Sequence, residues 1–261
     1  MENMFDDISK DLSRIGIDIN MPIVHAIFVQ DHSGSMDIKT DSGQKRAELA
    51  TSNFNEQLAK IKRESDEVIT TVTVIEFDDR ILCNEHFIHQ IRDNNIETRP
   101  ITFSADEVKP MTNWWTGGAT ALRDAIGAAY QIGSNLLSEH DTDDQSVLVI
   151  ILTDGEENAS QEWSDKDIRD KIKDLEDSGN WTFTFMGGQL QASEMIANMG
   201  FSAGNTYSMS QTTTSYSAAT KMSAGGLDKY FQMRKTGVKG TKDFFASDEE
   251  DEWQQKEKEN I

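Results

Sequence analysis

Two apolar runs constrain this chain more than any other feature. Residues 23–29 read Ile-Val-His-Ala-Ile-Phe-Val, and residues 147–152 read Val-Leu-Val-Ile-Ile-Leu. Neither run alternates with polar residues, so each reads as a strand covered on both faces, the pattern of a parallel sheet. Parallel neighbours need long crossovers, usually helical. The segments between the runs carry helical spacing. In residues 44–63, Ala47, Ala50, Phe54, Leu58 and Ile61 recur at three or four. From 120 to 138, Leu122, Ile126, Ala129, Leu136 and Leu137 fall on or near one face.

The remaining elements follow the same alternation. Residues 68–77 are β-branched and aromatic and predict a second strand. Residues 80–88 are a weaker run that could hairpin onto it as an edge strand. Residues 89–116, with Pro100, Pro110 and the Trp114-Trp115 pair, give no clear pattern beyond a short helix start at Ser104. Ser164 reads as an N-cap with Asp165 and Asp167 in the first turn, opening a helix that stops near Gly179. Residues 181–186 predict a fifth strand, 192–199 a short helix and 206–209 a last edge strand. Residues 214–222 and 226–234 predict one interrupted helix. The fold class is therefore α/β: a doubly wound, mostly parallel sheet of six strands with helices on both faces.

Three parts are expected along the chain. Residues 1–21 carry Phe5, Ile8, Leu12 and Ile15 as one helical stripe, an N-terminal helical extension. Residues 22–235 form the α/β domain. Residues 236–261 are expected to be an acidic, disordered tail. From 246 on they hold seven acidic side chains, two lysines and one aromatic, Trp253, too little apolar surface to fold alone.

The net charge of -21 argues against nucleic acid as a partner, which calls for clustered Lys and Arg. It suits solubility and cation attraction. With Cys83 as the one cysteine, there is neither an intrachain disulfide nor a Cys-rich zinc site. No segment reads as a signal peptide or as a membrane span, so the expected location is cytoplasmic.

Both apolar runs end on an aspartate. Residues 23–29 run into Gln30-Asp31-His32-Ser33-Gly34-Ser35-Met36, and residues 147–152 run into Thr153-Asp154. Ligand sites of open α/β sheets lie at the carboxyl ends of the strands. A Gly-rich loop entering a helix, Thr116-Gly117-Gly118-Ala119-Thr120-Ala121-Leu122-Arg123-Asp124-Ala125, is the third contribution. Carboxylate and hydroxyl oxygens of this kind suit a hard divalent cation, and Mg²⁺ keeps some of its waters.

Asp31-His32-Ser33-Gly34-Ser35 resembles the DxSxS signature of von Willebrand factor type A (VWA) domains. The 118–125 segment is similar to their threonine loop, and Leu152-Thr153-Asp154-Gly155 to their second aspartate. The three come in the family's order, over roughly residues 22–235, and the likeness is to the intracellular prokaryotic or phage type. The resemblance implies a metal-ion-dependent adhesion site (MIDAS). Ser33, Ser35 and Thr120 would offer hydroxyls, and Asp31 and Asp154 would act directly or through waters. The cation would be Mg²⁺, or Mn²⁺ or Ca²⁺, and a Glu or Asp of a partner protein would complete its shell. Thr116 is a second candidate for the threonine role, but Thr120 fits the register better. His32 departs from the small or apolar residue common inside the motif.

The blander readings are turn and cap chemistry for Asp31, Ser33, Ser35, Thr120 and Asp154. Asp124 reads as a locally bonded helix residue, and Glu156 and Glu157 as solvated loop carboxylates. His25, His86, His89 and His140 lack zinc spacing. No catalysis is expected. A metal-dependent hydrolase using the same carboxylates is the alternative, and a scaffold with a vestigial metal site is a third reading.

Overall fold

In this computed structural model the described residues are 21–64, 67–82, 87–92, 95–100, 102–111, 116–139 and 142–246. The N-terminal stripe, Trp114, Trp115, His86, His140 and the tail from 247 on, Trp253 included, lie outside them.

The strands are β1 (Ile23–Asp31), β2 (Ile69–Phe77), β3 (Phe87–Arg92), β4 (Asn95–Pro100), β5 (Thr102–Ser104), β6 (Gln145–Leu152), β7 (Trp181–Gly188) and β8 (Thr206–Met209). The helices are α1 (Arg46–Glu64), α2 (Leu122–Glu139), α3 (Asp165–Asp177), α4 (Gln189–Met199) and α5 (Thr213–Lys235). Six strands make the main sheet, in the order β5-β2-β1-β6-β7-β8. Five run parallel, and the three-residue β5 is antiparallel to β2. The doubly wound α/β class is therefore as expected.

The two apolar runs are the central strands. β6 is buried along its whole length, and β1 everywhere but its first residue. Each face of the sheet has its own core. On one, Phe28, Val72, Leu148 and Ile150 meet Phe54 and Leu58 of α1 and Leu227 and Phe231 of α5. On the other, Ile27, Val149 and Phe183 meet Ile126 and Ala129 of α2 and Ile168 and Ile172 of α3. Phe28 and Phe54 pack edge to face, their ring centroids 4.8 Å apart.

Three boundaries differ from the sequence reading. Among the described residues of 80–88, the ladder pairing with β2 is one bridge, Phe77 with Ile81, and β3, from Phe87 on, pairs with β4 in a separate two-stranded sheet. The last helix is continuous through Gly225 and Gly226. A Cβ on Gly226 would stand 2.3 Å from Phe244 Cε1, so that glycine lets a later segment lie close against the helix. This also moves the end of the domain past Lys235. Phe244 and Phe245 are buried, Asn205 Oδ1 accepts from Phe244 N at 2.9 Å, and Thr241 N donates to Thr182 Oγ1 at 2.9 Å. Residues 236–246 thus belong to the packed body, because two aromatics sit on α5 and β8 where composition alone shows only charge and glycine.

Candidate metal centre

The chain leaves β1 toward β2 on one side and returns to β6 on the other. That reversal makes the carboxyl ends of β1 and β6 the topological switch point, the place where ligand sites of open α/β sheets lie. The register pairs Gln30 with Leu152, which sets Asp31 beside Thr153. The Thr153 hydroxyl donates to Asp31 Oδ2. Ser33 N donates to Asp31 Oδ1 at 2.7 Å, folding the chain back over its own carboxylate. A single 3-10 turn, Gly34–Asp37, follows and buries Met36.

The five residues singled out in the sequence meet here. Ser33 Oγ lies 2.9 Å from Ser35 Oγ, and Ser35 Oγ donates to Asp154 Oδ1 at 2.6 Å. Thr120 is fixed through its backbone. Its N–H donates to Asn158 Oδ1 at 2.9 Å, and its carbonyl accepts from Asn158 N and Ala159 N at 3.0 and 3.2 Å. Gly117 N donates to the His32 carbonyl at 2.8 Å, and Gly34 N to the Gly118 carbonyl at 3.2 Å, so the threonine loop is laced to the Asp31 loop. Gly118 has φ +69°, and a Cβ there would approach Asp78 Oδ2 to 3.0 Å.

Gly155 reports how closely the oxygens converge. A Cβ on it would stand 2.6 Å from Thr120 Oγ1, 3.2 Å from Asp31 Oδ2 and 3.3 Å from Ser33 Oγ. Three oxygens from two segments, the Asp31–Ser35 loop and the threonine loop, therefore face one point that glycine keeps clear. The donor set is two carboxylates and three hydroxyls, all hard oxygens, which fits Mg²⁺ chemistry and excludes a soft-metal preference. Among the described residues no group of three or more His, Cys, Asp and Glu side chains is arranged to hold a metal ion.

Burial pushes the Asp31 carboxyl above its ordinary range; bonds from Thr153 and Ser33 pull the other way, and the Asp154 charge adds a further upward push. The phenol of Tyr216, on α5, is also raised, by burial first and then by the charge of Asp154. Thr116 is not part of the cluster: its side chain bonds the Asp37 carboxylate, which Lys45 also holds at 2.5 Å. Of the two threonines, Thr120 is the one whose hydroxyl lies beside Asp31 and Ser33.

Sequence reasoning missed four participants. Thr153 and Gly155 flank Asp154, and their signal was only adjacency. Arg46 opens α1, and its Nη1 donates to Asp154 Oδ2 at 2.5 Å. Glu157 is not a solvated loop carboxylate. It accepts from Arg123 N at 2.8 Å, Ser160 N at 2.9 Å, Ser160 Oγ at 2.7 Å and Ala159 N at 3.1 Å, and so ties down the loop that holds Thr120. Asp124 likewise binds across the fold, accepting from the backbone of Gln161, Glu162 and Trp163.

No protein-family model matches the sequence, and no curated protein matches it. Among solved structures it is similar to the pilus adhesin SpaC from Lactobacillus rhamnosus GG, with 14% identity and a TM-score of 0.55 over 81% of this chain. It is also similar to the PilB minor pilin from Streptococcus sanguinis (13% identity, TM-score 0.46, 84% of this chain). A third is the SpRpn10 VWA domain (13% identity, TM-score 0.45), matched over 76% of this chain and 93% of that one. The chain spans 31% of the adhesin's length and 64% of the pilin's. What it shares with the adhesin is the fold, a mostly parallel α/β sheet with helices on both faces.

Proposed function

We propose that the chain is a protein-interaction module of the VWA kind, in which Asp31, Ser33, Ser35, Thr120 and Asp154 hold a divalent cation. Mg²⁺ is the first choice, with Mn²⁺ or Ca²⁺ as alternatives. The partner is a protein that presents an exposed Asp or Glu. The observation that carries this reading is the convergence on the space Gly155 leaves clear, where Thr120 Oγ1, Asp31 Oδ2 and Ser33 Oγ surround one point.

A bound divalent cation supplies positive charge and an open coordination position to an incoming carboxylate. The residues of the chain do the rest. Asp31 and Asp154 supply the negative charge that retains the cation, and their burial strengthens that attraction. Ser33, Ser35 and Thr120 add neutral oxygens, so the loaded site is not over-neutralised and still attracts an anion. One structural relative is named a pilus adhesin, and adhesion is itself contact with a partner. No described helix is long and apolar enough to cross a membrane. A cytoplasmic setting, as in the intracellular prokaryotic or phage type, is part of the proposal.

Calorimetry with Mg²⁺ and Mn²⁺ tests the reading. The unaltered chain binds one cation, and Asp31→Ala and Thr120→Ala do not. A pull-down then loses its partners in EDTA and regains them with Mg²⁺. Retention of both metal and partner binding by either variant would sink the proposal.

A further inference from the structure

The cation the structure pairs with Asp154 belongs to the chain itself. Arg46 Nη1 donates to Asp154 Oδ2 at 2.5 Å, while Ser35 Oγ holds Oδ1, so both carboxylate oxygens are engaged. The Asp154 side chain is fully buried and that of Arg46 is 12% exposed. A guanidinium keeps its proton at any physiological pH, so it cannot leave by neutralisation; another cation must take its place. The arrangement also carries a cost. Arg46 Nε is buried without a hydrogen-bond partner, a donor that water would satisfy if the side chain swung outward. Arg46 has the anchorage to swing without loss of the helix, because its backbone N–H is fixed to the Ile38 carbonyl at 3.1 Å.

We infer that Arg46 is the built-in counter-ion of the site: its guanidinium occupies Asp154 Oδ2 until a divalent cation displaces it, and so sets the cation concentration at which the site loads. This rests on the metal-site reading above. The reach of the effect follows from competition. If the released arrangement is about one part in ten of the metal-free protein, the apparent Kd is about tenfold weaker than the intrinsic one.

Titration of the full-length chain with Mn²⁺ alone tests this. Arg46→Met, which keeps the stem and removes the charge, is expected to bind Mn²⁺ about tenfold more tightly than the unaltered chain. Arg46→Lys keeps a charge and should stay within a few-fold of it. Equal or weaker binding by Arg46→Met overturns the inference and leaves the metal-site reading standing. No Mn²⁺ binding by any of the three overturns that reading and the inference with it. Should Arg46→Met not fold, the unaltered chain still decides. The Arg46 Nε–H resonance, assigned through its loss in Arg46→Lys, should shift and exchange faster with water as Mg²⁺ saturates the site. A resonance unmoved at saturation overturns the inference.

Discussion

His32 Nε2 lies 3.2 Å from Glu76 Oε1, with both side chains buried. This explains the one residue of the Asp31–Ser35 loop whose type the sequence left unaccounted for. His32 points away from the oxygen cluster and across to β2, while its backbone N–H continues the ladder to the Phe77 carbonyl at 2.7 Å. The loop is thus pinned at its second residue to the neighbouring strand. Replacing His32 by Ala takes a buried partner from Glu76 and is expected to cost about 2–3 kcal/mol of stability. Mn²⁺ affinity should change by less than about twofold, since the ring lies outside the cluster. Urea denaturation of His32→Ala, Glu76→Gln and the double variant measures the coupling; a value indistinguishable from zero would mean the contact is incidental.

Gly155→Ala puts a methyl carbon where three oxygens converge. Thr120 Oγ1 at 2.6 Å has to retreat. We expect Mn²⁺ affinity to fall at least about tenfold and stability by about 1–3 kcal/mol, the usual range for overpacking. Gly225→Ala is the control. Nothing stands within 4 Å of its Cβ position in α5, so it should gain about 0.5–1 kcal/mol. Calorimetry and denaturation of both variants check the contrast. Unchanged metal binding by Gly155→Ala would place the cation, if any, elsewhere.

Glu157 anchors the loop behind Thr120, with its side chain 10% exposed. Glu157→Ala leaves the N–H groups of Arg123, Ala159 and Ser160 without this acceptor. The expected loss is about 3 kcal/mol. Because Asn158 of the same loop clamps Thr120, cation affinity should fall as well, and faster hydrogen exchange should be confined to residues 120–124 and 155–163. Glu157→Gln keeps one acceptor oxygen and should lose less on every count.

Glu176 gives the chain a pH dependence away from the site. It is held by Ser202 Oγ at 2.8 Å and Asn205 Nδ2 at 3.2 Å, yet burial dominates and raises its pKa above the ordinary 4.5. The folded state then binds the proton more tightly than the unfolded one. The stability this contributes is complete below about pH 4.5 and is lost as pH climbs through the raised folded value. Relative to the unaltered chain, Glu176→Gln should therefore gain stability steadily as pH rises from 4.5, then level off. Denaturation midpoints of the two proteins across pH 4 to 8, about half a unit apart, would show it. A pH-independent difference would contradict the assignment.

The fold was legible because its main signals are strong and local. Runs 23–29 and 147–152 gave the two central strands, and the Ser164 cap gave α3 its start, with Ser164 Oγ accepting from Asp167 N as read. The gathering of Asp31, Ser33, Ser35, Thr120 and Asp154 was legible too, since strand ends deliver residues to a common edge. What was not legible depended on contacts distant in sequence. Arg46 is 108 residues from Asp154, and nothing in the helix pattern of α1 says that its first residue turns toward the site. Glu157 looked solvated because its partners, Arg123 and Ser160, are visible only once α2 and the loop are folded together. Phe244 and Phe245 were assigned to the tail because a charged surrounding masks two aromatics whose receptor surface, Gly226 on α5, is assembled from another part of the chain.

The shortness of the outer strands has a consequence for how the protein behaves in crowded solution. β5 has three residues and β8 has four. β5 covers β2 at Thr71–Thr73, and further along Leu82 N donates to the Glu76 carbonyl at 2.8 Å and Asp78 N to the Arg80 carbonyl at 3.0 Å. The backbone of β2 is thereby occupied at both ends, and β8 offers too few groups to template an incoming strand. The nine-residue hydrophobic ladders that could seed edge-to-edge polymers are kept inside the sheet. With a net charge of -21 repelling like copies, self-association through the edges of the main sheet is disfavoured twice over.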